Sequence, residues 1–356
     1  MTRVPLSTAE WAAHAETVLP APVWDFVEGG SGAEHTLTAN PAAFRAIGIV
    51  PRVLSAVSAP ATNTVLFGDE LSFPLAVAPM AYQRLLHDAG ERATARAAKS
   101  AGVPVTVSTF SSVAVEEVAG TGAITWFQLY WFVDRGVTLD LVSRAEAAGC
   151  RALVLTVDLP RMGRRLRDVR NGFLIPDHIA AANLVGMPRS GLLAQHTDLV
   201  VDPSLSWDNV AWLRSRTELP LVLKGILHPE DAMTAAGLGA DAVVVSNHGG
   251  RQLDGAVATA VALPRVCAAV AGRCEVLVDS GIRSGTDVLK ALALGANAVL
   301  LGRPVLWGLA AEGESGVVGV LNILHDELID AMALSGCADL AAVQALELRR
   351  DEESAR

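Results

Sequence analysis

The chain has 356 residues, of which 51% are hydrophobic, and this content excludes an intrinsically disordered protein. The length accommodates one large α/β domain or two ordinary domains. The formal net charge of −10 argues against a nucleic-acid-binding surface, which requires clustered positive charge.

The N-terminal stretch predicts neither a signal peptide nor a membrane anchor. Glu10 and Glu16 stand where a signal peptide needs an apolar core, and no apolar run approaches the roughly 18 residues of a spanning helix. The 4 cysteines do not form the close pairs of zinc or redox sites, so no metal site is expected. We therefore expect a cytoplasmic protein that has reduced thiols and does not bind a membrane.

Residues 1–74 are interpreted as an N-terminal segment. A helix is predicted from Thr8 to Leu19 and a second from about Pro22 to Glu28, followed by a GGSG turn. Residues 75–310 are predicted to form the main body, and residues 311–356 to form closing helices. Together they are expected to make a single domain over residues 1–356.

From residue 75 onward the chain repeats one unit, in which a helix-like stretch and a glycine precede a short run of β-forming residues. The runs are LAVAP (75–79), VPVTVS (103–108), ITWFQLY (124–130), ALVLTVD (152–158), PLVLKG (220–225), DAVVVS (241–246), EVLVD (275–279) and NAVLLG (297–302). Near-continuous apolar strands that alternate with helices indicate a parallel sheet buried on both faces. Eight such units predict an α/β fold, a single (β/α)8 TIM barrel.

The connection between the fourth and fifth runs is unusually long. Asp158 ends one run and Pro220 begins the next. A loop of this length in a compact domain is usually functional or mobile. We interpret residues 159–205 as a lid over the active site, with a disordered excursion as the alternative.

The polar residues that end the runs are candidate site residues, because active sites of TIM barrels lie at the C-terminal ends of the strands. They are Gln128, Tyr130, Thr156, Asp158, Lys224, Ser246, His248, Asp279, Gly302 and Arg303. Structural alternatives are a helix cap for Asp158, aromatic core for Tyr130 and a salt bridge for Lys224. A lysine at the end of a buried strand nevertheless needs a partner or a ligand.

The segment SNHGGRQLDG (246–255) concentrates the most chemistry. His248 supplies a base with a pKa near neutrality, Arg251 supplies an anion-binding group, and two glycines permit close approach of a ligand. Sequences VDSGIRSG (278–285) and LLGRP (300–304) end the seventh and eighth strands, where barrels bind phosphate.

The arginine-rich run PRMGRRLRDVR (160–170) follows the fourth strand. Arg161, Arg167 and Arg170 are interpreted as a solvated charged face. A single arginine that presents its planar fork suffices to bind a carboxylate.

Several of these segments together resemble one known family. They are FQLYWFVDR, LTVDLPRMGRR, SNHGGRQLD, VDSGIRSGTDVLKALALGANAVLLGRP and ALSGC. In this order and spacing they resemble the FMN-dependent 2-hydroxy acid oxidases and dehydrogenases, which include glycolate oxidase, lactate oxidase and mandelate dehydrogenase. The resemblance covers nearly the whole chain from WDFVEGGSG onward. It implies FMN-dependent oxidation of a small-molecule 2-hydroxy acid to a 2-oxo acid, with reoxidation by oxygen, in a homotetramer.

The resemblance also implies which residues surround FMN at the barrel mouth. They are Ala78, Pro79, Ala81, Ser108, Gln128, Thr156, Lys224, Ser246, Asp279, Arg283, Gly302 and Arg303. Lys224 would lie beside flavin N1 and the C2 carbonyl, where a cation favours the anionic reduced flavin. Asp279, Arg283 and Arg303 would hold the ribityl chain and the phosphate.

On the substrate side, the resemblance makes His248 the catalytic base and Asp158 the carboxylate that pairs with it. Arg165 and Arg251 would clamp the substrate carboxylate, with the hydroxyl of Tyr130 beside it. Electron transfer as hydride and transfer through a carbanion both stay open.

Three positions depart from the family pattern. Phe26 stands where many members have tyrosine, Phe110 where glycolate oxidase-like members have tryptophan, and Ser280 where a glycine is usual. The apolar wall expected around the substrate consists of Phe26, Ala81, Tyr82, Phe110 and Met162. This wall suits an aromatic or bulky 2-hydroxy acid better than glycolate. The resemblance implies (S)-4-hydroxymandelate or mandelate as the substrate.

Four alternatives stay open at this stage. Two are enzymes of the same family, namely a lactate- or glycolate-type oxidase and a dehydrogenase with another electron acceptor. The others are a non-redox barrel such as an isomerase, and a catalytically inactive binding protein that retains the barrel.

Overall fold

The chain begins with three helices and three short strands that precede the barrel. The structure is a computed structural model and describes residues 4–184 and 201–350. These first elements are α1 (Thr8–Val18), α2 (Ala21–Glu28), α3 (His35–Arg45), β1 (Ile47–Ile49), β2 (Thr64–Leu66) and β3 (Asp69–Leu71). Both predicted helices are confirmed as α1 and α2, whereas α3 and the strands were not predicted.

The eight apolar runs form the strands of one closed parallel barrel. These strands are β4 (Leu75–Met80), β5 (Val105–Ser108), β6 (Thr125–Leu129), β7 (Ala152–Thr156), β8 (Leu221–Ile226), β9 (Ala242–Val245), β10 (Glu275–Val278) and β11 (Ala298–Leu301). Each strand pairs with the next one along the chain, and β11 closes the ring on β4. The predicted (β/α)8 barrel is therefore confirmed.

Helices follow the barrel strands and cover the outside of the sheet. They are α4 (Gly90–Ala101), α5 (Val115–Ala119), α6 (Arg135–Ala147), α7 (Leu166–Asn171), α8 (Trp207–Arg214), α9 (Pro229–Gly237), α10 (Thr259–Val270), α11 (Gly285–Ala293), α12 (Arg303–Ser335) and α13 (Leu340–Gln344). Gly102 ends α4 in the left-handed conformation (φ 66°), as the glycine before the strand predicts. The predicted boundary at residue 310 falls within α12, just before a kink at Glu312 and Gly313.

The N-terminal segment closes one end of the barrel and joins the C-terminus. A last strand, β12 (Leu348–Arg350), pairs antiparallel with β1. The hairpin of β2 and β3 buries Leu66 and Leu71, and Phe67 packs on the Trp126 ring at a centroid distance of 5.3 Å. This hairpin covers the barrel at the end opposite the mouth.

The long loop after β7 packs onto the barrel through its first half. Asn183 donates from Nδ2 to the Ser108 carbonyl (3.1 Å), and its Oδ1 accepts from the Val115 amide (2.9 Å). Phe173 and Ile179 are buried in this half of the loop. Of the lid predicted over 159–205, residues 185–200 lie outside the described residues, so closure over the site stays a prediction.

Two further findings concern the described residues only. None of their helices is long and apolar enough to cross a membrane. No group of three or more His, Cys, Asp or Glu residues in 4–184 and 201–350 could hold a metal ion.

The kink in α12 leads to a stability prediction. A Cβ added at Gly308 would lie 2.4 Å from the Gly316 carbonyl oxygen, and backbone cannot yield as a side chain can. Gly308→Ala is therefore expected to lower the free energy of unfolding by about 1–3 kcal/mol, the usual cost of overpacking. Urea denaturation measures this change.

Gly237→Ala provides the matched control. Gly237 is also helical, but a Cβ there would have no neighbour within 4 Å. Alanine should stabilise this helix by about 0.5–1 kcal/mol. Equal unfolding midpoints for the two variants would contradict the packing explanation.

Candidate active site

A deep cavity opens at the C-terminal mouth of the barrel, where the strand-end residues converge. The space inside it that is open to the centre of a water molecule is about 180 Å³. Its wall includes Phe26, Ala78, Pro79, Ala81, Tyr82, Ser108, Phe110, Tyr130, Thr156, Met162, Arg165, Lys224, His248, Arg251, Asp279, Ser280, Arg283, Gly302 and Arg303. Charged and aromatic side chains therefore line the same cavity.

Three predicted site residues support the wall from behind. Gln128 accepts from the Ser108 hydroxyl (3.1 Å) and donates to the Thr156 hydroxyl (3.1 Å). Ser246 and Asp158 contact two wall residues, as described below. These residues orient the groups that face the cavity.

His248 and Asp158 form a buried pair. His248 Nδ1 lies 2.9 Å from Asp158 Oδ1. Burial and the nearby Lys224 and Arg165 charges lower the pKa of His248, although Asp158 opposes this shift. Burial would raise the pKa of Asp158, but attraction to His248 and Lys224 outweighs burial, and its pKa is lowered. A neutral imidazole whose Nδ1–H donates to the carboxylate leaves Nε2 free to accept a proton.

His248 lies in a backbone conformation that other residues must hold. Its φ is 58°, in the left-handed region that few non-glycine residues adopt. Before it, Asn247 exchanges two side-chain amide hydrogen bonds with Asn40 of α3, at 2.8 and 2.7 Å. After it, Gly249 donates from its amide to the Ser280 hydroxyl (2.9 Å). The backbone of His248 is therefore held by contacts of the residues on both sides of it.

Lys224 supplies a buried cation at the wall. Its Nζ lies 3.1 Å from Asp279 Oδ2 and donates to Ser246 Oγ at 3.0 Å. Burial would lower the pKa of Lys224, but Asp279 and Asp158 outweigh it, and the pKa is raised. The salt bridge considered for Lys224 as a structural alternative is therefore present, and Lys224 also lines the cavity.

Arg165 and Arg251 are neighbouring guanidiniums in the cavity wall. Arg165 is buried, its Nε has no hydrogen-bond partner, and burial lowers its pKa to about 10. Burial and the neighbouring Arg165 and Arg303 charges lower the pKa of Arg251 strongly. Arg251 Nη1 donates to the carbonyls of Phe26 and Gly29, both at 2.8 Å. A bound carboxylate would relieve this crowding of positive charge.

Tyr130 adds a hydroxyl donor to this pair. Its side chain is buried, and burial together with the Asp158 charge raises its pKa, so the hydroxyl stays protonated. A protonated phenol is a donor to an anion.

Arg283 and Arg303 are a second pair of neighbouring guanidiniums in the cavity wall. Burial and the Arg303 charge lower the pKa of Arg283 to about 10. Arg303 begins α12 and donates to the carbonyls of Val27 and Gly249 (both 3.0 Å). Unpaired amides at the start of a long helix attract phosphate. Gly302 precedes them without a side chain, so the backbone is accessible to a phosphorylated ligand.

The remaining wall is apolar and largely aromatic. Phe110 lies between Tyr82 and Tyr130, with ring centroids at 6.2 and 5.4 Å. Phe26 stacks on Phe173 of the long loop at 4.8 Å. Burial raises the pKa of Tyr82 to about 12, so this ring stays neutral.

The structure separates Arg165 from its neighbours in the arginine run. Arg161 and Arg170 are exposed, and Arg167 pairs with Asp25 and Glu34 outside the cavity wall. The sequence reasoning missed Asn40 and Asn183, which fasten loops at the mouth. The apolar residues around Asn183 were the only sequence signal that its segment is buried.

Comparison with known proteins gives one family. The family model described as FMN-dependent dehydrogenase matches residues 15–350. The chain is 51% identical to 4-hydroxymandelate oxidase of Amycolatopsis orientalis, covering 98% of this chain and 99% of the relative. It is 49% identical to L-lactate oxidase of a Nostoc species, covering 94% and 96%. The crystal structure of mandelate oxidase with (S)-4-hydroxymandelic acid superposes with a TM-score of 0.94 at 51% identity, covering 97% and 99%.

The buried arginine pair predicts that a carboxylate stabilises the protein. Benzoate at about 100 times its Kd is expected to raise the free energy of unfolding by about 2.7 kcal/mol. Arg165→Met should lose most of this gain, because it removes the guanidinium that has an unpaired Nε. Thermal unfolding with and without benzoate, at a fixed FMN concentration, measures the effect.

Arg161→Met is the control, since Arg161 is exposed and lies outside the cavity wall. It should keep the full benzoate effect. An undiminished benzoate effect in Arg165→Met would show that the carboxylate binds elsewhere.

Proposed function

The chain belongs to the FMN-dependent dehydrogenase family and oxidises 2-hydroxy acids with FMN, and on that premise we propose that its substrate is an aromatic 2-hydroxy acid. The observation that carries this proposal is the aromatic wall of Phe26, Tyr82 and Phe110 beside the arginine pair. An arginine pair selects a carboxylate, and an apolar aromatic wall favours a ring next to it.

The donors at the mouth fit FMN. Arg283, Arg303 and the start of α12 would hold its phosphate, and Lys224 would lie against the polar edge of its ring. Gly302 leaves room at the helix start, where a Cβ would lie 3.9 Å from Met80 Sδ. FMN, when bound, supplies the acceptor for the two electrons that leave the substrate α-carbon.

His248 is the proposed base. Its neutral Nε2 takes a proton from the substrate, and the imidazolium that forms is stabilised by Asp158 at 2.9 Å. Asp158 also fixes the tautomer, because its carboxylate accepts from Nδ1–H. The lowered pKa of His248 keeps the imidazole neutral before the substrate arrives.

Arg165, Arg251 and Tyr130 are proposed to orient the substrate. The two guanidiniums bind its carboxylate, and the protonated Tyr130 hydroxyl donates to an adjacent oxygen. Arg251 is preorganised for this contact by the carbonyls of Phe26 and Gly29. Orientation of this kind removes much of the entropic barrier to reaction.

Phe26 changes the carboxylate end of the site relative to the family pattern. The Arg251 guanidinium lies 5.3 Å from the centre of the Phe26 ring and makes a cation–π contact with it, whereas the hydroxyl that tyrosine would add is absent. The ring of Phe26 also stacks on Phe173. This arrangement makes the site more apolar, which favours an aromatic substrate over glycolate.

Oxygen is the proposed electron acceptor, as the name oxidase implies for the relatives 51% and 49% identical to this chain. A homotetramer is also proposed. Leu54 and Leu334 are 100% and 79% exposed on neighbouring segments, and an exposed apolar patch favours a subunit contact. A cytoplasmic location is proposed because all four cysteines are free thiols.

A panel of 2-hydroxy acids under air tests the substrate class. For mandelate and 4-hydroxymandelate, kcat/KM is expected to exceed the values for lactate and glycolate by at least about tenfold, because each additional buried carbon contributes about 0.8 kcal/mol. Oxygen consumption and identification of the 2-oxo acid product measure this ratio. A preference for lactate or glycolate would overturn the aromatic assignment. If hydroxy acids fail to bleach the flavin in the absence of oxygen, the protein is not a redox enzyme.

The His248–Asp158 pair predicts a pH dependence. Because only the neutral imidazole accepts a proton, kcat/KM should rise with pH through the lowered pKa of His248 and then level off. Asp158→Asn removes the negative charge that raises the pKa of His248, so this pKa should fall further and the rise in kcat/KM should occur at lower pH. At the plateau kcat should fall by about 10²–10⁴-fold, because the imidazolium loses its partner.

Rates measured between pH 4 and 9, roughly the range of histidine titration, test this prediction. Asp177→Asn is the control, because Asp177 is exposed on the long loop. It should reproduce the wild-type profile. An unchanged kcat in Asp158→Asn would remove Asp158 from the mechanism.

A further inference from the structure

Glu91 is a buried carboxylate outside the cavity wall. It is the second residue of α4, and 2% of its surface is exposed. A buried carboxylate requires compensating donors, and a position in the first turn of a helix adds a favourable dipole. The groups that donate hydrogen bonds to Glu91 therefore show which parts of the chain it joins.

The two oxygens of Glu91 join two loops of the barrel mouth. Oε1 accepts from the amides of Gln83 (3.0 Å) and Ser112 (2.8 Å), and Oε2 accepts from the Ser112 hydroxyl (2.6 Å). Ser112 Oγ in turn accepts from the Arg84 amide at 3.0 Å. The loop after β4 and the loop after β5 are thus fastened to one side chain.

These two loops carry the aromatic wall. Tyr82 immediately precedes Gln83, and Phe110 lies two residues before Ser112. The amide of Tyr82 also donates to the Phe110 carbonyl at 3.1 Å. A shift of either loop would therefore move both rings relative to Tyr130.

The backbone of Tyr82 makes this attachment necessary. Its φ of 54° and ψ of 44° are left-handed, a conformation that a bulky residue keeps only when its surroundings hold it. The hydrogen bond from the Tyr82 amide to the Phe110 carbonyl holds Tyr82 itself, and Glu91 holds the next residue, Gln83, through its amide. Gln83 is also fixed by its side chain, which accepts from the Thr94 hydroxyl of α4 at 2.5 Å.

We propose that Glu91 is a specificity-determining positioning residue, which holds Tyr82 and Phe110 where they form the wall for an aromatic substrate ring. This inference rests on the proposed aromatic substrate. Glu91 touches neither the substrate carboxylate clamp nor the His248–Asp158 pair, so its role is separable from the chemistry. We therefore expect Glu91 to affect the preference for aromatic over small 2-hydroxy acids.

The test compares kcat/KM for mandelate with kcat/KM for lactate. Glu91→Ala leaves the Gln83 and Ser112 amides without their acceptor, so the loops must move. The ratio of the two kcat/KM values is expected to fall by at least about tenfold relative to wild type, mainly through KM for mandelate. FMN content and the pH profile with lactate should stay unchanged.

Glu91→Gln is the conservative variant. Its carbonyl oxygen can accept from both amides, and its NH₂ can donate to Ser112 Oγ, so the ratio should stay within about twofold of wild type. Ser112→Ala, which removes only the hydroxyl, should lower the ratio by about threefold and replaces the alanine variant if that variant does not fold. Asp241→Ala is the matched control. Asp241 accepts from the Leu221 amide (2.8 Å) at the start of β8, away from the mouth, and its removal should leave the ratio unchanged.

Each result decides the role of Glu91. An unchanged ratio in Glu91→Ala, or in Ser112→Ala where that variant is used, would overturn the proposal. An equal loss with both substrates, accompanied by loss of FMN, would also overturn it, because Glu91 would then be merely structural. If wild type prefers lactate, the proposed substrate class is wrong. The change of ratio from wild type to variant still tests Glu91 in that case.

Discussion

Buried positive charge at the barrel mouth is the constraint on which the site depends. Lys224, Arg165, Arg251, Arg283 and Arg303 all line one cavity. Among the described residues, Lys224 pairs with Asp279 at 3.1 Å, and Arg303 lies 3.9 Å from Glu28. Backbone carbonyls near the C-terminal end of α2 accept hydrogen bonds from the Arg251 and Arg303 guanidiniums and so partly compensate their burial. Helix C-termini are suited to cations, but carbonyl dipoles do not neutralise a full charge. The mouth is therefore preorganised for anions.

The N-terminal segment is part of the site because of this constraint. Besides the carbonyls of α2, it supplies α3, which braces the loop of His248 through the Asn40–Asn247 pair. The same helix packs against the loop after β10, where a Cβ on Gly281 would lie 2.7 Å from the Asn40 backbone. One helix thus contacts both the loop of His248 and the loop of Gly281. Such bracing is what a geometry-sensitive proton transfer requires.

The charged and the aromatic residues occupy different walls of the cavity. The charged groups come from β7 to α12, whereas the aromatic wall comes mainly from the loops after β4 and β5. Glu91 and Asn183 fasten these aromatic loops from outside, without contact to the charged pairs. This separation allows the substrate side chain to change while the reaction stays the same. It is the general way in which barrels vary substrate through their βα loops.

The sequence alone determined the barrel and most of the residues at its mouth. Apolar runs such as ALVLTVD mark strands buried on both faces, and the polar residue after each run must lie at the mouth, since parallel strands end at the same edge. The pairing of β1 with β12, the Asn40–Asn247 pair and the ties of Glu91 were decided only by the tertiary structure. They join residues far apart in the chain or use backbone atoms, and neither kind of contact leaves a periodic or compositional signal. The positive φ angles of His248 and Tyr82 could likewise not be predicted from the sequence, because only surrounding contacts hold a left-handed backbone at a bulky residue.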